Sequence, residues 1–207
     1  MGKCLLNRLS ISVNNSILEG LPKDCRAVNA ERMLLNAKEI NIILQRLACQ
    51  LVENHKNFEN SALIGIQPRG SFLANRLYDI LKKDYGLTSL NYGKLDITFY
   101  RDDFRRGDKV LKASETDIDF IVENKHVVLI DDVLFTGRSI RSALTALQSF
   151  GRPSKIELLT LIDRRFSRHL PIQPDYNGRK VDAINDEHVK VCWIENDGED
   201  AIYLLKN

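Results

Sequence analysis

Residues 126–139 read HVVLIDDVLFTGRS. The apolar run from Val127 to Ile130 is mostly β-branched, the composition of a strand buried on both faces of a parallel sheet. It ends in two adjacent carboxylates, Asp131 and Asp132, and after a short spacer comes Thr136-Gly137-Arg138-Ser139 with a helical pattern behind it. Ligands of open α/β sheets collect at the carboxyl ends of such strands. Carboxylates accept hydrogen bonds from vicinal hydroxyls and hold Mg²⁺ directly or through water. The turn offers backbone N–H groups and two hydroxyls at a helix N-terminus, where the dipole favours an anion. Gly137 permits close approach or positive φ. A ligand with both sugar hydroxyls and a phosphate suits this pattern. Paired acids alone are more often a cap and a solvated turn. Strand, acids, turn and helix in register favour the phosphosugar site. Neither a Walker lysine motif nor a G-x-G-x-x-G fingerprint is present.

Outward from that segment the chain alternates between strand and helix patterns. Residues 1–28 show no strong period and read as an N-terminal extension, with one domain over 29–207. Residues 32–35 suit a short strand. Asn36 and Glu39 have capping-box spacing, and Ile40, Ile43, Leu44, Leu47 and Leu51 trace one helical face behind them. Strands are expected at 61–66, at 126–130 and at 156–162, with another ending over 95–99, and helices over 70–83 and 139–150. Residues 189–194 and 201–205 read as a closing pair around an Asn196-Asp197-Gly198 turn. This order predicts an α/β fold with a central, mostly parallel sheet flanked by helices.

Two further loops carry candidate chemistry. Gly65-Ile66-Gln67-Pro68-Arg69-Gly70 follows a strand and opens a helix. Arg69 and the neighbouring N–H groups suit a diphosphate, and Pro68 lowers the cost of a cis Gln67–Pro68 bond. A plain strand-to-helix turn is the competing reading of these residues alone. The third loop starts at Asp96-Ile97-Thr98-Phe99-Tyr100-Arg101-Asp102-Asp103 and stays polar to about Asn124, long enough to act as a mobile cover. Arg101, beside the strand end, is the candidate to reach a pyrophosphate. Arg105, Arg106 and Lys109 read as solvated charge.

Composition sets the limits. The chain has 207 residues, 43% hydrophobic content and a formal net charge of +2, so it can bury a sizeable core and neither demands nor excludes nucleic acid. Cys4, Cys25, Cys49 and Cys192 are widely spaced without a C-x-x-C pair, which disfavours a zinc site or a disulfide scaffold and fits a reducing cytoplasm. No apolar run approaches membrane-spanning length. Asn7 and Arg8 interrupt any signal-peptide core, and Leu6 stands where a myristoylation motif has Ser or Thr.

The strand, the two acids and Thr-Gly-x-Ser together resemble the type I phosphoribosyltransferases. That resemblance implies their fold, with a small hood over the base site, and phosphoribosyl pyrophosphate as ligand. Asp131 and Asp132 would contact the ribose and Mg²⁺, directly or through water. Val133, Leu134 and Phe135 would span the loop to Thr136, Gly137, Arg138 and Ser139, which cradle the 5′-phosphate. Gln67, Pro68, Arg69 and Gly70 would form the pyrophosphate loop. Catalysis would rest on Asp131, Asp132, Arg69 and Arg101.

The segments GIQPRG, DITFYRDD, VVLIDDVLFTGRSIRSAL, FGRPSKIELLTLIDRR and HLPIQPDYNG, in this order, are similar to the pyrimidine operon regulatory proteins over roughly residues 32–190. This narrower resemblance implies a uracil phosphoribosyltransferase making UMP and pyrophosphate, with pyr messenger RNA as a further partner and a homodimer or larger assembly. It places Ile162, Asp163 and Arg164 around the pyrimidine. Two departures keep alternatives open. The family's Asp-Arg-Gly-His becomes Asp163-Arg164-Arg165-Phe166-Ser167-Arg168-His169, which leaves room for another base such as hypoxanthine or guanine. The first helix carries Gln45, Arg46 and Cys49 where the family has Thr, Arg and His, and Asn41 and Ile42 where an arginine pair is common. Basic residues remain near Gly178, Arg179 and Lys180. A uridine-nucleotide-sensing RNA attenuator with weak catalysis is the other reading.

Overall fold

The computed structural model describes residues 30–102, 114–183 and 187–206. The chain order is β1 (Ala30–Asn36), α1 (Ala37–His55), β2 (Ser61–Ile66), α2 (Arg69–Tyr85), β3 (Asn91–Leu95), β4 (His126–Leu134), α3 (Arg138–Leu147), β5 (Lys155–Arg164), β6 (Tyr176–Val181), β7 (Glu187–Cys192), the one-turn helix α4 (Ile194–Asp197) and β8 (Ala201–Lys206). Strands β3-β2-β4-β5-β6 form a wholly parallel sheet, and β1-β8-β7 form a separate antiparallel one. The small sheet is the hood, and the architecture is the one the sequence implied.

Two apolar clusters hold the parallel sheet between helices. On one side Leu44, Leu47 and Leu51 of α1 and Leu73, Leu77 and Leu81 of α2 pack with Leu63, Val128, Ile130 and Leu161. On the other, Ile140, Ala143 and Leu147 of α3 pack with Ile64, Val127, Leu129 and Leu158. Strands covered on both faces read as continuous apolar runs, and β2 is buried at every position. The capping box forms as expected: Asn36 Oδ1 accepts from Glu39 N at 3.0 Å, and Asn36 N donates to Glu39 Oε2 at 2.9 Å. The hood is fastened to α2 by Arg76, whose guanidinium pairs with Glu195 and Asp200 and lies 4.6 Å above the Trp193 ring.

The structure moves some expected boundaries. β3 ends at Leu95, because Asp96 Oδ1 accepts from Thr98 N at 3.1 Å and turns the chain; the strand end expected over 95–99 falls at its first residue, and a bend and a 3-10 turn follow. β4 does not stop before the acids but runs through them to Leu134, which pairs with Asp163 of β5. The closing pair forms as β7 and β8, and β1 joins β8 to complete the hood. The helix after the Thr136–Ser139 turn ends at Leu147 and continues as a 3-10 turn over Gln148–Phe150. The 1–28 extension, Cys4, Cys25, Arg105, Arg106 and Lys109 lie outside the described residues.

Strand β6 was not expected, since Asn177-Gly178 has the composition of a turn. Gly178 is needed there for a different reason. A Cβ at this position would lie 2.4 Å from the Leu161 carbonyl oxygen and 2.9 Å from Ile43 Cγ2. Gly178→Ala should therefore lower stability by roughly 1–3 kcal/mol in urea unfolding, the usual range for overpacking against fixed backbone.

At the amino ends of the parallel strands sits a buried polar group. His55 bonds Ser61 Oγ at 2.8 Å and approaches Glu157 at 2.9 Å, and the Tyr176 hydroxyl donates to Glu157 at 2.9 Å. Burial lowers the His55 pKa below its ordinary value of 6.5, partly offset by Glu157. The folded state thus resists a proton that the unfolded chain accepts. The associated stability is present above about pH 6.5 and is lost as pH falls through the folded pKa. Unfolding free energy measured from pH 7.5 to 5.5 should drop more steeply in the wild type than in His55→Gln, and equal slopes would count against this origin.

Candidate active site

The sheet changes direction between β2 and β4. From β2 the chain crosses outward to β3, and from β4 it crosses the other way to β5 and β6. A crevice opens outside the carboxyl ends at such a reversal. The loop holding Gln67 to Gly70 follows β2, the acids lie near the carboxyl end of β4 and the Thr136–Ser139 turn follows that strand, so the fold brings both loops to that crevice. Gly70 allows the close approach. A Cβ there would lie 2.5 Å from Ile130 O and 3.0 Å from Asp131 Cα, so α2 begins directly against the acids.

The two acids divide the crevice. Asp131 lines a cavity of about 270 Å³ with Arg101, Asp102 and the stretch from Val133 to Ser139. Asp132 lines a second, about 420 Å³, with Arg69, Val133, Phe135, Arg164, His188, Val189, Lys190 and Val191. Successive strand residues point to opposite sides, which places one carboxylate in each cavity. Asp131 Oδ1 accepts from Asp132 N at 3.0 Å, and Asp132 Oδ1 accepts from Val133 N at 2.8 Å. Burial pushes the Asp131 pKa well above the usual carboxylate range, and the Asp132 charge adds to it, while Arg101 opposes. Burial also raises Asp132, against the Arg69 charge. A site that holds two acids in this state favours a cation or a hydroxyl-rich ligand between them.

The Thr136–Ser139 turn is built by backbone geometry. Gly137 adopts φ 88° ahead of α3, Arg141 N donates to Gly137 O at 3.0 Å, and Thr136 Oγ1 accepts from Arg138 N at 3.4 Å. The turn is buttressed by the very segment that departs from the family pattern. Arg168 bridges the Phe135 carbonyl and the Asp163 carboxylate, and His169 N donates to Thr136 O at 3.1 Å.

On the β2 side, the Gln67–Pro68 bond is cis, and Gln67 N donates to Leu95 O at 2.9 Å. Arg69 reaches the hood, donating to Val191 O and to Asp197 Oδ2 at 3.3 Å. It lies in the Asp132 cavity, so it joins the hood to the acids.

Of the three residues expected around the base, Arg164 lines the Asp132 cavity. Its guanidinium stacks 3.9 Å over the Phe135 ring and donates to Glu187 O at 2.8 Å, and its buried Nε has no partner among the described residues. Ile162 is fully buried in the core, and Asp163 lies beside Arg168 in a separate cleft. Sequence reasoning missed Asp102, His188 and Lys190 as cavity residues. The hood residues are distant in sequence, and only the β1-β8-β7 pairing carries them over the crevice. Burial lowers the His188 pKa, helped by the Arg164 and Arg69 charges, so its imidazole is neutral at pH 7. No group of three His, Cys, Asp or Glu side chains that would hold a metal occurs among the described residues, and no described helix is long and apolar enough to cross a membrane.

Two acids followed by a glycine turn at the carboxyl end of a central parallel strand fit a pentosyl-transferring enzyme, and the chain belongs to the phosphoribosyl transferase domain family, whose model matches residues 31–196. Within that class its similarity is to the PyrR proteins. It is 46% identical over 177 residues to the bifunctional protein PyrR of Elusimicrobium minutum, covering 84% of this chain and 97% of that one. It is 44% identical over 171 residues to the PyrR of Desulfosudis oleivorans, covering 83% and 94%. Among solved structures, a hypoxanthine phosphoribosyltransferase from Staphylococcus aureus superposes with a TM-score of 0.64 at 25% identity, covering 86% of this chain and 92% of that one.

Proposed function

We propose that this chain is a uracil phosphoribosyltransferase, one domain over 29–207 behind an extension, making UMP and pyrophosphate from uracil and phosphoribosyl pyrophosphate. The observation that carries the reading is the division of Asp131 and Asp132 between a phosphate-turn cavity and a hood cavity. A pentose bridging the two places its 5′-phosphate on residues 136–139, its hydroxyls on the acids and its C1 under the hood.

Two adjacent carboxylates, with no cluster of three ligating side chains among the described residues, fit Mg²⁺, which commonly takes one or two carboxylates and completes its shell with substrate oxygens and water. Asp131 and Asp132 would hold it, directly or through water. When bound, it neutralises charge on the departing diphosphate. The chain's own groups do the rest. The backbone N–H groups of the turn and the α3 dipole anchor the 5′-phosphate. Gln67, Pro68, Arg69 and Gly70 line the diphosphate, and the Arg69 and Arg101 guanidiniums stabilise charge growing on its oxygens. Uracil N1 attacks C1, the C1–O bond to pyrophosphate breaks, the N1 proton leaves to the departing pyrophosphate or to solvent, and the acids offset the positive charge building on the ribose. The Arg164 Nε donor and the neutral His188 face the base.

The test is a panel of uracil, hypoxanthine and guanine with phosphoribosyl pyrophosphate and Mg²⁺, read by nucleotide product. UMP as the main product supports the reading; a purine nucleotide alone, or no product, overturns it. The resemblance to pyrimidine operon regulators brings a second partner, pyr leader RNA, sensed with UMP by an oligomer in the cytoplasm. On α1, however, Arg46 donates to the Asn177 and Gly178 carbonyls of β6. Its guanidinium stays exposed there, so an RNA contact by Arg46 would share it with these two carbonyls. Titration of leader RNA with and without UMP over a salt series tests this, and light scattering reads the assembly.

A further inference from the structure

After β3 the chain makes the 3-10 turn Thr98–Tyr100 and then runs extended at Arg101, with φ −74° and ψ 139°. Four contacts fasten this stretch to α3 and to the 3-10 turn that continues it. The Tyr100 carbonyl accepts from Ser142 Oγ at 3.1 Å. The Tyr100 hydroxyl meets Ser149 Oγ at 3.3 Å. Asp102 Oδ2 accepts from Arg141 Nη2 at 2.8 Å and lies 3.6 Å from Arg138 Nε. Arg101 stands between these fasteners. It lines the phosphate-turn cavity, and its charge reaches Asp131.

We propose that Asp102 is a positioning residue for the transfer reaction: by clamping its own segment onto Arg138 and Arg141, it holds Arg101 in the phosphate-turn cavity beside Asp131, where its charge meets the sugar-phosphate ligand. This rests on the function proposed above. The reasoning is entropic. A long arginine on a loose segment must be ordered when the ligand arrives, and that cost is subtracted from binding. Clamping both neighbours of Arg101 removes part of it beforehand. The pair contributes little to folding, because its side chains are 40–59% exposed and such ion pairs stabilise weakly. Arg138 meanwhile offers its backbone N–H to the turn while its guanidinium faces Asp102, so the two tasks do not compete.

Simple electrostatics and positioning predict opposite signs. Removing a carboxylate beside a phosphate site raises the local positive potential, so by charge alone Asp102→Asn would bind phosphoribosyl pyrophosphate more tightly. If Asp102 positions Arg101, the KM for that substrate rises roughly tenfold, with a smaller change in kcat and no change in unfolding midpoint. Asp102→Glu restores part of the loss. In an Arg101→Ala background, Asp102→Asn has no further effect, because the group it acts through is gone. An unchanged or lowered KM in Asp102→Asn, or full additivity with Arg101→Ala, overturns the proposal while an active wild type leaves the transferase reading standing. A wild type that forms no nucleotide overturns both.

Discussion

Asp132→Asn should lower turnover roughly 10²–10³-fold, the size expected when one preorganised electrostatic group is removed from a transition state, while the unfolding midpoint at pH 7 to 8 holds or rises. Both halves follow from the same geometry. Asparagine keeps the shape and leaves an oxygen to accept from Val133 N, which stands 2.8 Å from Asp132 Oδ1. What it removes is a buried negative charge next to another. The Asp131 and Asp132 pKa values are raised by burial, and in Asp131 also by its neighbour's charge. A carboxyl whose folded pKa is raised contributes stability below its unfolded pKa and loses it as pH rises through the folded one. At neutral pH the folded chain therefore carries a repulsion that the variant lacks, and the stability gain should shrink as pH falls towards 4. Sites that hold charge for a ligand commonly trade stability for function in this way. Near-normal turnover, or a lower midpoint at pH 8 than at pH 5 relative to wild type, would contradict the assignment.

The parts of this site that were legible in the sequence are those whose signal is local. An apolar strand, two acids and a small-residue turn occupy one stretch, so strand, carboxylates and helix start could be placed from spacing alone. The Asn36–Glu39 box and the stripe from Ile40 to Leu51 were legible for the same reason: capping and amphipathicity repeat within a few residues. What was not legible depends on distant pairing. His188 and Lys190 reach the crevice because β7 pairs with β8, which pairs with β1. Strand β6 was hidden because Gly178 serves a close approach to Leu161 rather than a turn. The clamp at Asp102 was hidden because its partners lie on α3, 39 residues away for Arg141. Charge type identified Arg69 as a candidate, but sequence gave no hint that its guanidinium also holds the hood.

That double attachment makes Arg69→Ala the second large effect. Turnover should fall roughly 10²–10³-fold, and unlike the Asp132 variant this one should also lose stability, by roughly 1–3 kcal/mol. Arg69 donates to the Val191 carbonyl and to Asp197, which is 7% exposed and also accepts from Trp193 N at 3.0 Å. Truncation leaves a buried carbonyl and a buried carboxylate short of a donor. It also removes the charge that opposes the rise in the Asp132 pKa, so the acid limb of the pH–rate profile should move to higher pH. Arg69→Lys should lie between, because an ammonium keeps the charge but, on a shorter stem, does not place one nitrogen against both Val191 O and Asp197 Oδ2 as Nη1 does. Urea unfolding, kcat/KM and the pH profile separate the roles. A stability loss with normal turnover and an unmoved acid limb would make Arg69 a hood anchor alone, whereas lost turnover at unchanged stability would mean that the contacts to Val191 and Asp197 carry no weight in the fold.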